Sequence, residues 1–384
     1  MTACSSSSKS GEGMFIGELR WQDPRTETYL GSPSLVRLPD GAILASHDYF
    51  GPHAPFNHEG EEFLTTVYRS EDDGRTWKEI THLSHTYWAS LFEHRGSAYI
   101  LGTSAHNRDI VIRRSDDGGY TWTVADSDTT GLLFVGGPSR TSPNYHCAPV
   151  PVLVHEGRIW RAFEDNLPHE EFARGFQALV ISASVDSDLL RADSWRMSNK
   201  LQYDGTVDPP EFGDFSGWLE GNVVADRNGQ VWDVLRVNSY PVLNKAAMVH
   251  VSDEGRTLEF DAETGFIDLP GGASKFTIRW DDTTELYWTI SNDMQDEPVQ
   301  IRRNRLSLFS SPDLANWTKR MTLLEDHLET SPEESVQNTG FQYVDWQFDG
   351  DGIMYLVRTA YDGAHNFHDS NRINFCRTPD LRTL

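Results

Sequence analysis

The segment YRSEDDGRTW, from Tyr68 to Trp77, returns almost unchanged as RRSDDGGYTW from Arg113 to Trp122. A turn spelled twice restricts the fold more than any bulk property does. The shared pattern is Ser-x-Asp-x-Gly-x-Thr-Trp. Ser and Asp side chains accept backbone N–H groups inside a tight turn, Gly takes a positive φ, and Thr-Trp opens the next strand. Weaker copies read SDEGRTL from Ser252, SPDLANW from Ser311 and, stretched, SVDSDLLRADSW from Ser184; TPDLRTL from Thr378 begins a sixth. Each copy follows a hairpin and a third strand. SLVRLPDGAILAS, LFEHRGSAYILG, VLVHEGRIWRAF, NVVADRNGQVWDVL, FTIRWDDTTELYWTI and VDWQFDGDGIMYLV are the hairpins, apolar runs about a Gly- or Asp-containing turn. Hairpin, strand, box turn and strand, repeated along a chain, is the signature of β-propeller blades. Six units are present. FIGELRW, near the start, is expected to close the ring against the last blade or to contribute to a seventh.

Composition agrees. The 12 Trp, 13 Tyr, 19 Phe and 30 Gly are spread along 384 residues with no Pro/Ser-rich linker, so residues 14–384 read as one all-β propeller carrying the catalytic site. MTACSSSSKSGEG, residues 1–13, reads as a disordered tail. It lacks the apolar core of a signal peptide, which leaves the compartment open: secreted if processed, otherwise cytoplasmic. Cys4, Cys147 and Cys376 suggest neither a disulfide framework nor a zinc cluster. A formal charge of −25 argues against nucleic acid and against gripping a long polyanion along its length. No apolar run is long enough for a membrane helix. A monomer is expected.

In a blade the first strand starts, and the second ends, at one face of the ring; the turn between third and fourth strands lies at the other. The boxes therefore read as structural, and the mouth is lined from the opposite ends. Second strands end at His47, His106, Glu164, Arg236, Asn292 and Arg358. First strands begin at His85, Tyr87, Tyr145, His146, Trp218, Glu220, Lys275 and Gln342, with Trp88 beside them. Imidazoles, a phenol and guanidinium groups next to carboxylates suit proton transfer. Taken singly, each has a plainer reading: a hydrogen-bonded His, an ion-paired Arg, a core Trp. His365, His368 and Asp369 have metal-ligand types, although a polar loop explains them equally well. No HExxH, paired CxxC, GxSxG or P-loop motif is present.

RSEDDGRTW is similar to the Asp box of sialidase-like propellers. Over nearly the whole chain, the segments GSPSLVRLPDGAILASHDYFG, YWASLFEHRGSAYILGTS, YHCAPVPVLVHEGRIWRAFE, WLEGNVV, SKFTIRW and GFQYVDWQFDGDGIMYLVRTA resemble the propeller polysaccharide lyases, ulvan lyases and L-rhamnose-α-1,4-D-glucuronate lyases. The resemblance implies seven blades and a set of catalytic residues: the pair His85 and His106, the pair Tyr145 and Arg161, and His47 where rhamnose-releasing relatives carry an essential histidine. It implies a uronate-containing oligosaccharide or polysaccharide as partner. Arg161, with Arg236, would neutralise the uronate carboxylate so that C5–H becomes acidic. Tyr145 or a histidine would remove that proton, and a histidine or tyrosine would protonate the departing O4. His146, Trp88, Trp218, Lys275 and Arg358 would hold the sugar. This chemistry requires no cofactor; a structural calcium or zinc ion is compatible with it.

The expected activity is thus exo-acting release of rhamnose, leaving a 4,5-unsaturated glucuronate. Three alternatives stand beside it. One is an ulvan-type lyase. Another is a glycoside hydrolase of sialidase or rhamnosidase type, for which VRLPDG, Arg236 and Arg358 are suggestive and a Tyr paired with Glu is required. The third is a non-catalytic glycan-binding propeller.

Overall fold

The computed structural model describes residues 14–55, 63–138, 141–167, 170, 172–214, 216–294, 301–378 and 380–381. The expected tail, Cys4 and part of the last box copy lie outside them. Among the described residues the strands form six antiparallel sheets, one per hairpin unit, so the count of six stands and no seventh blade is present.

Blade 1 holds Tyr29–Leu30 and Ser34–Arg37, then Ile43–Phe50, Thr65–Ser70 and Lys78–Leu83. Blade 2 runs Tyr87–His94, Ser97–Thr103, Ile110–Ser115 and Leu132–Phe134. Blade 3 has Tyr145–His146 and Leu153–His155 on its inner edge, followed by Arg158–Asn166, Phe176–Ser184 and Trp195–Met197. In blade 4, Trp218–Ala225, Val231–Val237 and Lys245–Ser252 precede two outer pieces, Thr257–Glu259 and Phe266–Asp268. Blade 5 comprises Thr277–Asp281, Leu286–Asn292, Arg305–Ser311 and Thr318–Glu325. Blade 6 takes Gly340–Asp349, Gly352–Ala360 and Arg372–Thr378 from the C-terminal end and Met14–Trp21 from the N-terminal end. Trp21 pairs with Arg372: FIGELRW closes the ring.

Apolar residues alternate along each strand and pack between blades. The cluster around Leu44, Val67 and Leu91 joins blades 1 and 2, and that around Ile112, Phe163 and Ile181 joins 2 and 3. Equivalent clusters follow round the ring to Tyr68 and Phe375, between blades 6 and 1. A belt of hydrogen bonds near the axis repeats the arrangement in polar form. Ser34 Oγ accepts Leu91 N at 2.8 Å, Ser90 Oγ donates to Val150 O at 2.9 Å, and Glu164 Oε1 accepts Gly221 N at 3.1 Å. Asn222 Nδ2 donates to Phe276 O at 3.2 Å, Thr277 Oγ1 to Val344 O at 2.7 Å, and Leu35 N to Asp345 Oδ2 at 2.9 Å, which completes the circle.

The boxes serve packing. In the first, Asp72 Oδ1 accepts Thr76 N at 2.8 Å, and Ser70 Oγ accepts Gly74 N at 2.8 Å. Gly74 has φ +82°, and a Cβ there would lie 2.1 Å from the Phe375 ring of blade 6. Trp77 meets that same ring edge-on at 5.3 Å. Cys147 and Cys376 are buried and, among the described residues, form no disulfide. Among the described residues no helix is long and apolar enough to cross a membrane.

Candidate active site

Three first strands break register at the same place, just inside the mouth. The irregularities lie between Tyr87 and Ser90 in blade 2, Leu219 and Asn222 in blade 4, and Gln342 and Asp345 in blade 6. Each holds a non-glycine residue with left-handed backbone: Trp88 at φ +48°, Glu220 at +59° and Tyr343 at +51°. Bulges re-aim side chains, and these three converge on the mouth from alternate blades.

Glu220 is the centre. Its carboxylate accepts Arg236 Nη1 at 2.9 Å and the Tyr343 hydroxyl at 2.6 Å. Burial would raise this carboxyl, but Arg236, the Tyr343 hydroxyl and His146 outweigh it and hold it below the ordinary glutamate value. Burial, reinforced by Glu220, pushes the Tyr343 phenol up against the pull of three guanidinium groups, so it is protonated at neutral pH. Those groups are Arg236, Arg303 and Arg358. Arg303 donates to Gln342 Oε1 and lies 5.3 Å from the Phe367 ring centre. Burial, with Arg236 and Arg358 nearby, brings Arg303 down to about 10. Arg358 donates to Ser370 Oγ at 3.1 Å and His368 O at 2.6 Å, and its guanidinium lies between the rings of Phe50 (4.4 Å) and Tyr343 (4.8 Å).

A second pair abuts the first. His146 Nδ1 meets Glu164 Oε2 at 2.7 Å, while the other oxygen of Glu164 accepts the N–H of Gly221, the neighbour of Glu220. A carboxylate acceptor fixes the proton on Nδ1 and leaves Nε2 as a base. The imidazole is flanked by Trp88, ring centres 4.5 Å apart, and Phe176, 4.7 Å apart. Trp88 N–H donates to Asp48 Oδ2 at 2.9 Å. Burial raises Asp48 to about 6, against the opposing Trp88 N–H, Ser32 and Arg358.

Of the residues expected at the mouth, Arg236, Arg358, His146 and Trp88 are there. His106 joins them, exposed, its ring 4.7 Å from Trp88 and its Nδ1 2.8 Å from Asn107 Nδ2. His85 is exposed on the turn before Tyr87. Five others are elsewhere. His47 is fully buried between blades 6 and 1, stacked on Tyr68 and bonded to its hydroxyl at 3.1 Å, and burial takes it to about 4. Tyr145 points into the core between blades 2 and 3, its hydroxyl against Met197 Sδ, and burial with Asp165 and Asp109 pushes it up to about 12. Trp218 is core, edge-on to Tyr203 and Phe260. Arg161, fully buried, braces the inner strands by donating to Ala162 O, Ala148 O and Ser90 Oγ. Lys275 spends its ammonium on Thr277 Oγ1 (2.6 Å) and Val344 O (2.7 Å), and burial lowers it to about 7.

Side chains of the loop at residues 365–369 are engaged in the protein's own bonds: the Tyr29 hydroxyl of blade 1 meets His365 Nδ1 at 3.0 Å, and His368 Nδ1 meets Asp369 Oδ1 at 3.1 Å. Among the described residues no three His, Cys, Asp or Glu side chains are grouped to hold a metal ion. Tyr343, Arg303 and Asp48 were not anticipated from sequence. The one available signal was the parallel between YWAS, LEGN and QYVD, which aligns Trp88, Glu220 and Tyr343.

No family model and no curated protein sequence matches the chain. Solved structures do. The α-L-arabinofuranosidase Arb93A of Fusarium graminearum superposes with a TM-score of 0.64 at 13% identity, over 98% of this chain and 99% of its own. The Hadza microbial sialidase Hz136 gives 0.60 at 14%, over 97% and 69%. A protein of unknown function from Dyadobacter fermentans gives 0.59 at 14%, over 96% and 100%. At such identities the likeness establishes the propeller fold and nothing finer.

Proposed function

We propose that this chain is a glycan-cleaving enzyme acting beside a uronic acid by β-elimination. The observation that carries the proposal is the Tyr343–Glu220–Arg236 cluster with Arg303 and Arg358 beside it and the His146–Glu164 pair adjoining. Three guanidinium groups around the Tyr343 phenol, one of them paired with Glu220, leave positive charge that a substrate carboxylate would balance. Neutralised in this way, a uronate has an acidic C5–H. His146 Nε2 takes that proton, the C5–H electrons form the C4–C5 double bond, the C4–O4 bond breaks, and the neutral Tyr343 phenol protonates O4. The products are a 4,5-unsaturated uronate and a released sugar. The resemblance in sequence favours the rhamnosyl–glucuronate linkage, attacked from the chain end. The fold neighbours named as arabinofuranosidase and sialidase support a glycan substrate in general.

One observation favours a second reading. The Tyr343 hydroxyl donates to Glu220 at 2.6 Å, and a phenol with a carboxylate acceptor for its proton suits a hydrolytic nucleophile of the sialidase kind. Incubation with a rhamnosyl-glucuronate glycan, following ultraviolet absorbance of a conjugated uronate together with released sugar, separates the two. Absorbance rising with release supports elimination; release without absorbance supports hydrolysis. Neither product from a panel of uronate glycans rejects the enzyme reading.

A further inference from the structure

The mouth is lopsided. On the side of blades 5, 6 and 1 the guanidinium groups are covered, Arg303 being 7% exposed and Arg358 5%. Over blades 3 and 4 large apolar rings stand in solvent: Phe172 is 61% and Tyr240 51% exposed. Single exposed apolar residues are ordinary, but these two belong to a connected structure. Phe172 meets Phe176 edge-on with ring centres 6.0 Å apart, and Phe176 in turn flanks His146 at 4.7 Å. A track of rings therefore leads from the proposed base outward to the rim. The loops that carry the two exposed rings are laced together. Arg174, two residues after Phe172, donates to Asp214 O at 2.8 Å, and Gly213 N–H donates to the carbonyl of Tyr240 itself at 3.0 Å. Gly217 is so close to Ala173 that a Cβ would fall 2.2 Å from the latter's carbonyl carbon.

We infer that Phe172 and Tyr240 form a second sugar subsite, which receives a neutral sugar joined to the uronate and stacks its C–H face on an aromatic ring. The inference rests on the proposed function and adds direction to it: the acid sugar occupies the covered, cationic side, and the remaining glycan leaves over blades 3 and 4. An aromatic ring suits this occupant because a sugar face rich in C–H groups is apolar and carries no charge to desolvate.

The test is calorimetric titration with glucuronate, a glucuronate-containing disaccharide and a glucuronate-terminated tetrasaccharide, in a Tyr343→Phe background that suppresses turnover. Phe172→Ala and Tyr240→Ala are then introduced singly and together; both sites are exposed, so melting temperatures should stay near that of the background. The expected result is that the larger glycans bind more tightly than glucuronate, and that this gain falls roughly tenfold in the double variant while glucuronate affinity is unchanged. A gain that survives both substitutions, or equal binding of all three ligands, overturns the subsite and leaves the proposed function standing. Failure of glucuronate and of both glycans to bind overturns the two together.

Discussion

Replacing Tyr343 by Phe tests the site with one atom. The ring remains, and with it the contact 4.8 Å from the Arg358 guanidinium. What disappears is the hydroxyl that donates to Glu220 Oε1 at 2.6 Å. Glu220 keeps Arg236 at 2.9 Å, so no buried charge is orphaned. A hydrogen bond to a charged group contributes about 1.5–3 kcal/mol. For 384 residues, an unfolding entropy of about 2.1 cal/mol/K per residue sums to about 0.8 kcal/mol/K, so the melting temperature should fall by roughly 2–4 °C. The rate should suffer far more. A positioned general acid contributes about 10²–10⁴-fold, equivalent to roughly 3–5 kcal/mol of barrier. Initial rates from product absorbance at 25 °C, beside a melting curve by circular dichroism, measure both. A variant that retains more than about a tenth of the parent rate removes Tyr343 from proton transfer. A large drop in melting temperature with a proportionate loss of rate would instead make it a brace.

Glu164→Gln leaves His146 in place but exchanges its carboxylate partner for an amide; the rate is expected to fall by roughly 10²–10⁴-fold with KM little changed, and an unchanged rate would free His146 from the mechanism. Arg161→Met should act on stability instead, because three buried acceptors lose their donor at a cost of about 3 kcal/mol or more; a raised KM in a normally stable variant would restore Arg161 to substrate binding. Asp48 titrates higher in the folded protein than in the unfolded chain, so its contribution to stability is complete below about pH 4 and is lost as pH rises through about 6. Asp48→Asn should flatten that part of the stability–pH curve, and an unaltered slope would refute the assignment. Asp313 has the opposite sign: despite burial, Asn316 and backbone N–H groups hold it at about 2, so its contribution is present above the ordinary aspartate range and lost as pH falls towards 2. Melting temperatures of Asp313→Asn should converge on the parent's in acid.

The ring was legible in the sequence because each blade is written locally, as a hairpin, a strand and a turn whose Ser, Asp and Gly act within a few residues. The mouth was legible only to within one residue. Side chains alternate along a strand, so a position read one place off faces the opposite layer. His47 points into the core while Asp48 reaches Trp88; Tyr145 is buried while its neighbour His146 meets Glu164. In blade 6 the bulge shifts the register, so Gln342 is the residue an even alternation puts forward, whereas Tyr343 reaches Glu220. Arg303 lies ahead of the strand Arg305–Ser311, outside any hairpin, where no periodicity identifies it.

The buried charges that contribute no atoms to the proposed chemistry also follow from the bulges. Holding a bulky side chain in left-handed backbone costs about 1–3 kcal/mol and persists only where the surroundings enforce it. Each of the three bulges is pinned by a charged residue of the preceding blade. Asp48 of blade 1 takes the N–H of Trp88, Glu164 of blade 3 takes the N–H of Gly221 beside Glu220, and Lys275, at the entry to blade 5, takes the carbonyl of Val344 beside Tyr343. A propeller of six similar blades offers six similar inner strands. Here blades 1, 3 and 5 supply the clamp and blades 2, 4 and 6 the strained residue it holds. Lys275 thus acts as the clamp for the blade bearing the phenol, and its burial follows from that position rather than from contact with a sugar.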